Sequence, residues 1–120
     1  MRRIVSLVLL FLIASLATSS LLAQTKQRSI PTIDANELPS EARHTIALIK
    51  KGGPYPYKKD GVVFGNFERL LPLHERGYYK EFTVPTPGSR DRGARRIIVG
   101  KAGEIYYTGN HYASFNRVRE

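Results

Sequence analysis

The chain has no cysteine. That excludes a disulfide scaffold, a thiolate metal centre and a lipid-anchored lipoprotein in one step. Histidine is nearly as scarce: His44, His74 and His111 are its three copies, scattered and without a metal-ligand spacing such as HExxH. No metal or other cofactor is expected. Acidic residues are few as well, 10 against 19 lysines and arginines, for a formal charge of +9. The excess of cations favours a polyanionic partner and fits nucleic acid, anionic lipid or cell wall equally. No internal repeat and no low-complexity segment interrupts the 120 residues.

One long apolar run exists, and it lies at the start. Arg2 and Arg3 precede IVSLVLLFLIASLA, followed by small and polar residues and then LLAQ. This is the order of a secretory signal peptide, and the run is too short to read comfortably as a membrane span. Residues 1–23 are therefore assigned to a signal peptide, with cleavage after Ala23 or earlier, after Ser19 or Ser20; an uncleaved N-terminal anchor is the alternative. Without Arg2 and Arg3 the balance is 17 basic to 10 acidic residues, a charge of +7. The remaining length suffices for one small core.

Residues 24–37 begin with QTKQRSIPT, which has no apolar periodicity and reads as an N-terminal arm. The domain proper is assigned to 38–120. Ala42, Ile46 and Ile49 recur at helical spacing, Pro39 suits a first helical residue, Lys50 and Lys51 suit the negative end of the dipole and Gly52 stops the turn. One amphipathic helix from about Pro39 to Lys51 follows. After it, PYPYKKDG forces extended and turn geometry, and Val62 to Phe64 is a short apolar segment leading into Gly65-Asn66-Phe67-Glu68. There Gly65 and Asn66 tolerate left-handed backbone, letting amides point at something close by.

From Tyr78 the pattern changes to period two. In YYKEFTV, Tyr79, Glu81 and Thr83 share one face and Tyr78, Phe82 and Val84 the other. RRIIVG, EIYYTG and HYASFNRV supply three further strands joined by tight turns. The fold class is α+β: an N-terminal amphipathic helix packed on an antiparallel sheet.

The strand-rich third of the chain also carries the chemistry. It holds a lone carboxylate, Glu81; an arginine-dense turn with Arg90, Arg92, Arg95 and Arg96; and one imidazole, His111. RNA brings its own nucleophile, the 2′-hydroxyl, so cleavage needs a base for that proton, an acid for the leaving 5′-oxygen and cations for the charge between them. Carboxylates titrate near ~4 and imidazoles near ~6.5, so close to neutral pH the first can act as base and the second as acid. Arginine suits the phosphate because its planar fork grips two oxygens. Glu81 as base and His111 as acid is the assignment. Each signal alone is also compatible with an ordinary solvated surface.

Three segments, DGVVFGNFE, GYYKEFTVPTPGSRDRGARRIIVG and YYTGNHYASF, resemble the microbial guanine-specific ribonucleases, the family of barnase and the small secreted streptomycete enzymes. The similarity runs over nearly all of 38–115. It implies the microbial ribonuclease fold, Glu81 as general base, His111 as general acid, and Arg92 and Arg96 as the phosphate-binding arginines. It further implies that Glu68 accepts hydrogen bonds from the N1–H and amino group of guanine, that amides around Asn66 and Phe67 meet its O6, and that Phe64 and Tyr112 flank the base or support its pocket. Phe67 is a departure, since the family often has arginine there. The missing disulfide of the streptomycete members is another.

The expected protein is thus a secreted, monomeric, metal-independent endoribonuclease cutting single-stranded RNA 3′ of guanosine through a 2′,3′-cyclic phosphate. An acidic inhibitor of the barstar kind is an implied partner. A non-catalytic cationic protein of the same fold, binding nucleic acid or envelope, is the alternative; nutrient scavenging and attack on competing cells are both compatible uses.

Overall fold

A computed structural model describes residues 29–120. Residues 1–23, read above as a signal peptide, and the first residues of the arm lie outside the described residues. Strand β1 (Thr32–Asp34) leads through a single 3₁₀ turn, Ala35–Glu37, into helix α1 (Ser40–Lys51). Five strands follow: β2 (Val62–Phe64), β3 (Tyr79–Thr83), β4 (Arg96–Gly100), β5 (Ile105–Thr108) and β6 (Asn116–Arg119). They form one six-stranded sheet in the order β1-β6-β5-β4-β3-β2.

The helix matches its expectation to within one residue. Pro39 is extended, with ψ at 147°, and stands just outside the first turn as its cap. At the other end Gly52, at φ 86°, donates to the carbonyls of Leu48 and Ile49 at 3.0 and 3.2 Å. Such a left-handed C-terminal glycine closes a helix at little steric cost. Ala42 and Ile46 are buried and Ile49 half-buried, as the apolar stripe requires. Thr45 joins them by returning its hydroxyl to the Glu41 carbonyl at 3.0 Å. His44 faces solvent.

From β3 to β6 the sheet is the expected antiparallel meander, and the short apolar segment Val62–Phe64 joins it as β2, antiparallel to β3. The sixth strand differs: β1 pairs parallel with β6, Thr32 opposite Arg117 and Asp34 opposite Arg119. The end of the arm is therefore a sheet edge, fixed by Arg117 N–H donating to Pro31 at 2.8 Å and by the Arg119 guanidinium on Asp34. The last strand is also shorter than HYASFNRV suggests. It begins at Asn116, and residues 109–114 form a turn.

Alternation along the strands gives two apolar layers. On one side Phe82, Val84, Ile97, Ile105 and Val118 pack on Leu38, Ala42 and Ile46 of the helix side. On the other, Tyr79, Ile98 and Tyr106 pack on Leu71 and Phe115 from the loops. Fully burying each such side chain stabilises by about 1.5–3 kcal/mol.

Five of the seven tyrosines have their ionisation pushed upward, Tyr78 chiefly through a hydrogen bond with Glu104. Burial is the main cause at Tyr79, Tyr106, Tyr107 and Tyr112. A raised phenol contributes stability fully present below its ordinary value near ~10 and lost as pH climbs above it. Alkaline titration followed by tyrosinate absorbance and circular dichroism is expected to show two groups. One group ionises while the fold persists; the other, the rings whose ionisation the fold raises, ionises together with unfolding. Ionisation of all seven before any loss of secondary structure would contradict this packing.

Candidate active site

The site is built on the sheet face opposite the helix. Register places Thr83, Arg96 and Thr108 in one row across β3, β4 and β5, and Glu81, Ile98 and Tyr106 in the next. Neighbouring strands are about 4.8 Å apart, so Glu81 and Arg96 project from adjacent rows of one surface. Period-two alternation sends Arg95, just before β4, the other way, where its guanidinium stands 4.0 Å from Glu41 of the helix. Arg90 is exposed in the loop. Of the four loop arginines, Arg92 and Arg96 are the two brought to Glu81's side.

Glu81 is largely withdrawn from solvent, its side chain 13% exposed. One carboxylate oxygen accepts the Tyr112 hydroxyl at 2.5 Å, and the other lies 3.8 Å from Arg92 Nη1. Arg92 is steadied by donating to the Thr83 hydroxyl at 2.9 Å. The Asp91 carboxylate shapes the loop that carries it, accepting from the Gly93 amide at 2.8 Å and the Ser89 hydroxyl at 2.9 Å. These two bonds, the amide first, hold Asp91 below the usual carboxylate range.

Arg96 is buried, 2% exposed. Its Nη1 donates to the carbonyls of Gly93 and Arg95 at 2.9 and 2.8 Å. Its Nε, equally buried, has no hydrogen-bond partner among the described residues. Its Cζ lies 6.0 Å from the centre of the Tyr112 ring. A charged group held inside without a carboxylate within ion-pair distance is costly unless something else meets it.

His111 is exposed, its ring 5.1 Å from that of Tyr112. Its amide donates to the Ala94 carbonyl at 2.8 Å, tying the turn after β5 to the arginine loop. His111 and Tyr112 both have left-handed backbone, φ 54° and 70°. Non-glycine residues rarely adopt it, and such strain gathers at functional sites. The network that over-determines it is local: Thr108 Oγ1 accepts the Tyr112 amide at 3.1 Å, and Asn110 accepts the Ser114 amide at 3.1 Å while donating to its hydroxyl at 2.8 Å.

Beside Glu81 is a pocket of about 170 Å³ lined by Phe64, Asn66, Phe67, Glu68, Leu70, Tyr112 and Phe115. Phe64 stacks on Tyr112 with centroids 4.9 Å apart and meets Phe115 edge-on at 6.0 Å. Asn66, at φ 51°, clamps the loop with its side chain, donating to the Leu71 carbonyl at 3.0 Å and accepting the Leu71 amide at 3.1 Å. Its amide group is thus occupied within the protein, which leaves its backbone for any ligand. Glu68 is exposed at the rim, without an ion pair among the described residues. Phe67 is 84% exposed, and its ring folds over Gly65 so closely that a Cβ there would lie 2.5 Å from Cε2.

Tyr112 joins the two halves. Its ring walls the pocket and its hydroxyl holds Glu81. Burial, then the bond to Glu81, pushes its ionisation far up, so it stays a donor around neutral pH. Sequence reasoning placed Tyr112 at the base pocket and missed this hydroxyl bond; it also missed Leu70 and Phe115 as pocket wall. Among the described residues no three histidine, aspartate or glutamate side chains converge as a metal site requires.

A carboxylate and two guanidiniums on one side of the sheet, with an aromatic slot alongside and an imidazole in the adjoining turn, give this α+β protein the kinds of group that acid–base chemistry on a phosphodiester requires. The chain belongs to the microbial ribonuclease family, whose ribonuclease model matches residues 22–119. It is 56% identical over 92 residues to guanyl-specific ribonuclease Sa3 of Kitasatospora aureofaciens, covering 76% of this chain and 65% of that protein. With guanyl-specific ribonuclease St of Saccharopolyspora erythraea it shares 58% identity over 79 residues, 66% of this chain and 78% of that protein. Among solved structures, ribonuclease Sa2 in complexes with mononucleotides superposes with a TM-score of 0.77 at 50% identity, covering 78% of this chain and 98% of that one. Ribonuclease Sa2 with guanosine-2′-cyclophosphate gives 0.73, over 76% and 97%.

Proposed function

We propose that this chain is a secreted endoribonuclease that cleaves single-stranded RNA on the 3′ side of guanosine. The observation that carries the reading is the convergence of Glu81, Arg92 and Arg96 on one sheet face, linked through Tyr112 to the aromatic pocket. Guanine enters beside Phe64 and Tyr112, and Glu68 accepts its N1–H and amino hydrogens. Backbone amides at Asn66 and Phe67 meet O6. Unstacked RNA bases are commonly read in this way, by edge hydrogen bonds and aromatic faces.

Glu81 takes the proton from the 2′-hydroxyl, whose oxygen attacks phosphorus. Arg92 and Arg96 bind the non-bridging oxygens as charge accumulates. His111 gives a proton to the 5′-oxygen as its bond to phosphorus breaks. A 2′,3′-cyclic phosphate remains; water then opens it, His111 taking the proton and Glu81 returning one. No step uses a metal. Export rests on the leader pattern in 1–23, and an acidic inhibitor protein is the partner that a basic face around such a site would accept.

The decisive measurement is cleavage of GpC and ApC by the purified chain with and without excess chelator. GpC is expected to be cut at a rate indifferent to chelator, with the cyclic phosphate appearing first and ApC largely spared. Folded protein that cleaves neither dinucleotide nor long RNA would leave a cationic binding domain in place of an enzyme.

A further inference from the structure

The turn before β3 stands next to the pocket mouth and is fixed residue by residue. The His74 ring stacks on Tyr78, with centroids 3.7 Å apart and planes 8° from parallel. Glu75 is turned away to Lys101, 3.6 Å distant, and its carbonyl accepts the Tyr78 amide at 3.1 Å. Gly77, at φ 95°, allows the chain to close. Between them Arg76 reaches the other way, its Cζ lying 5.9 Å from the centre of the Phe67 ring.

This contact leaves the guanidinium's N–H donors without a partner among the described residues. Arg76 is exposed and has no carboxylate within 4.0 Å among the described residues: its neighbour Glu75 is engaged by Lys101, and Glu68 lies outside that range. A guanidinium held over an aromatic face by a cation–π contact keeps its N–H groups free for a planar or tetrahedral anion. Phe67 is itself a wall of the base pocket, so the cation it carries is placed at the pocket rim.

We propose that Arg76, carried on Phe67, binds the phosphate on the 5′ side of the guanosine in the pocket. The proposal rests on the ribonuclease reading above. A guanosine within a chain has two phosphates; Arg92 and Arg96 serve the one being cleaved, which leaves the other for a cation at the pocket rim. Phe67 then acts twice, flanking the base and positioning a charge that its own side chain lacks.

The test compares GpC, which has the scissile phosphate alone, with ApGpC, which has both. The ratio of kcat/KM for ApGpC over GpC is expected to fall about fivefold in Arg76→Ala, mainly through KM, as for a single exposed phosphate contact. Arg76→Lys, which keeps the charge without the planar fork, is expected to recover part of the ratio. In Phe67→Ala the ratio falls similarly, and adding Arg76→Ala then changes it little, because the two residues act as one unit. Affinity for ApGpC with 2′-deoxyguanosine, which cannot be cleaved, is expected to lose part of its salt dependence in Arg76→Ala. An unchanged ratio and an unchanged salt slope would overturn the proposal. Failure of the unaltered protein to cut either substrate would instead overturn the ribonuclease reading, and the affinity arm would still decide the role of Arg76.

Discussion

Glu81→Ala is expected to lower kcat/KM for GpC cleavage by about 10²–10⁴-fold, the usual worth of a positioned base, while affinity for single-stranded RNA persists. Removing one carboxylate leaves every cation of the surface in place, and electrostatic attraction to the phosphate chain does not depend on the base. The alanine variant has a second effect. It strips the acceptor from the Tyr112 hydroxyl, now 2.5 Å from Glu81, and leaving that half-buried hydroxyl unmet costs part of the ~1–3 kcal/mol that a fully buried one would. Because the Tyr112 ring also stacks on Phe64, a shift there spreads to the pocket. Glu81→Gln keeps an acceptor for Tyr112 and removes the basic oxygen. Both variants are therefore expected to lose turnover, whereas alanine alone loses stability and guanine affinity as well. Kinetics on GpC, urea unfolding and binding of 3′-GMP separate the three quantities. Glu81→Gln with undiminished cleavage would remove Glu81 from the role of base.

The parts legible in the sequence are those fixed by local periodicity. Alternation in YYKEFTV puts Glu81 opposite Phe82 across the strand, and the observed burial follows it, with Phe82 facing the helix and Glu81 the site. The helix was equally readable, because its stripe and its Gly52 stop lie within a dozen residues. Less readable were features created by contacts distant in sequence. β1 has no strand pattern of its own and exists because β6, over eighty residues later, presents an edge to it. The segment HYASF has the aromatics of a strand, yet Thr108 and Asn110 capture its amides first and turn it. Side chains that bond nearby backbone compete with sheet ladders in this way. That turn is also what swings Tyr112 back over Glu81, so the missed local structure and the missed hydroxyl bond have one cause. Arg76 was invisible for a different reason: nothing in a row of turn residues shows which neighbouring charge is already engaged.

Arg96→Lys is expected to reduce kcat/KM about 10²–10³-fold, the scale of losing one preorganised donor to developing charge, with net charge unchanged. Its fork is already half committed, with Nη1 on two carbonyls and Nε buried without a partner. A buried donor in that condition burdens the free protein and is relieved when an anion arrives. Ligand binding should therefore repair the fold as well as occupy the site. Saturating 3′-GMP, at about a hundred times its Kd, stabilises a protein that binds it by about 2.7 kcal/mol, and the unaltered chain is expected to show a shift of that order in urea. In Arg96→Lys the ammonium cannot span both the carbonyls and the phosphate, so the same nucleotide concentration is expected to stabilise it far less. Arg92, half-exposed and held by a threonine hydroxyl, has no such burden in the free protein. Its lysine variant is expected to lose turnover with a smaller loss of ligand-induced stabilisation. Equal stabilisation of Arg96→Lys and the unaltered protein by 3′-GMP would show that the buried guanidinium serves the loop carbonyls rather than the phosphate.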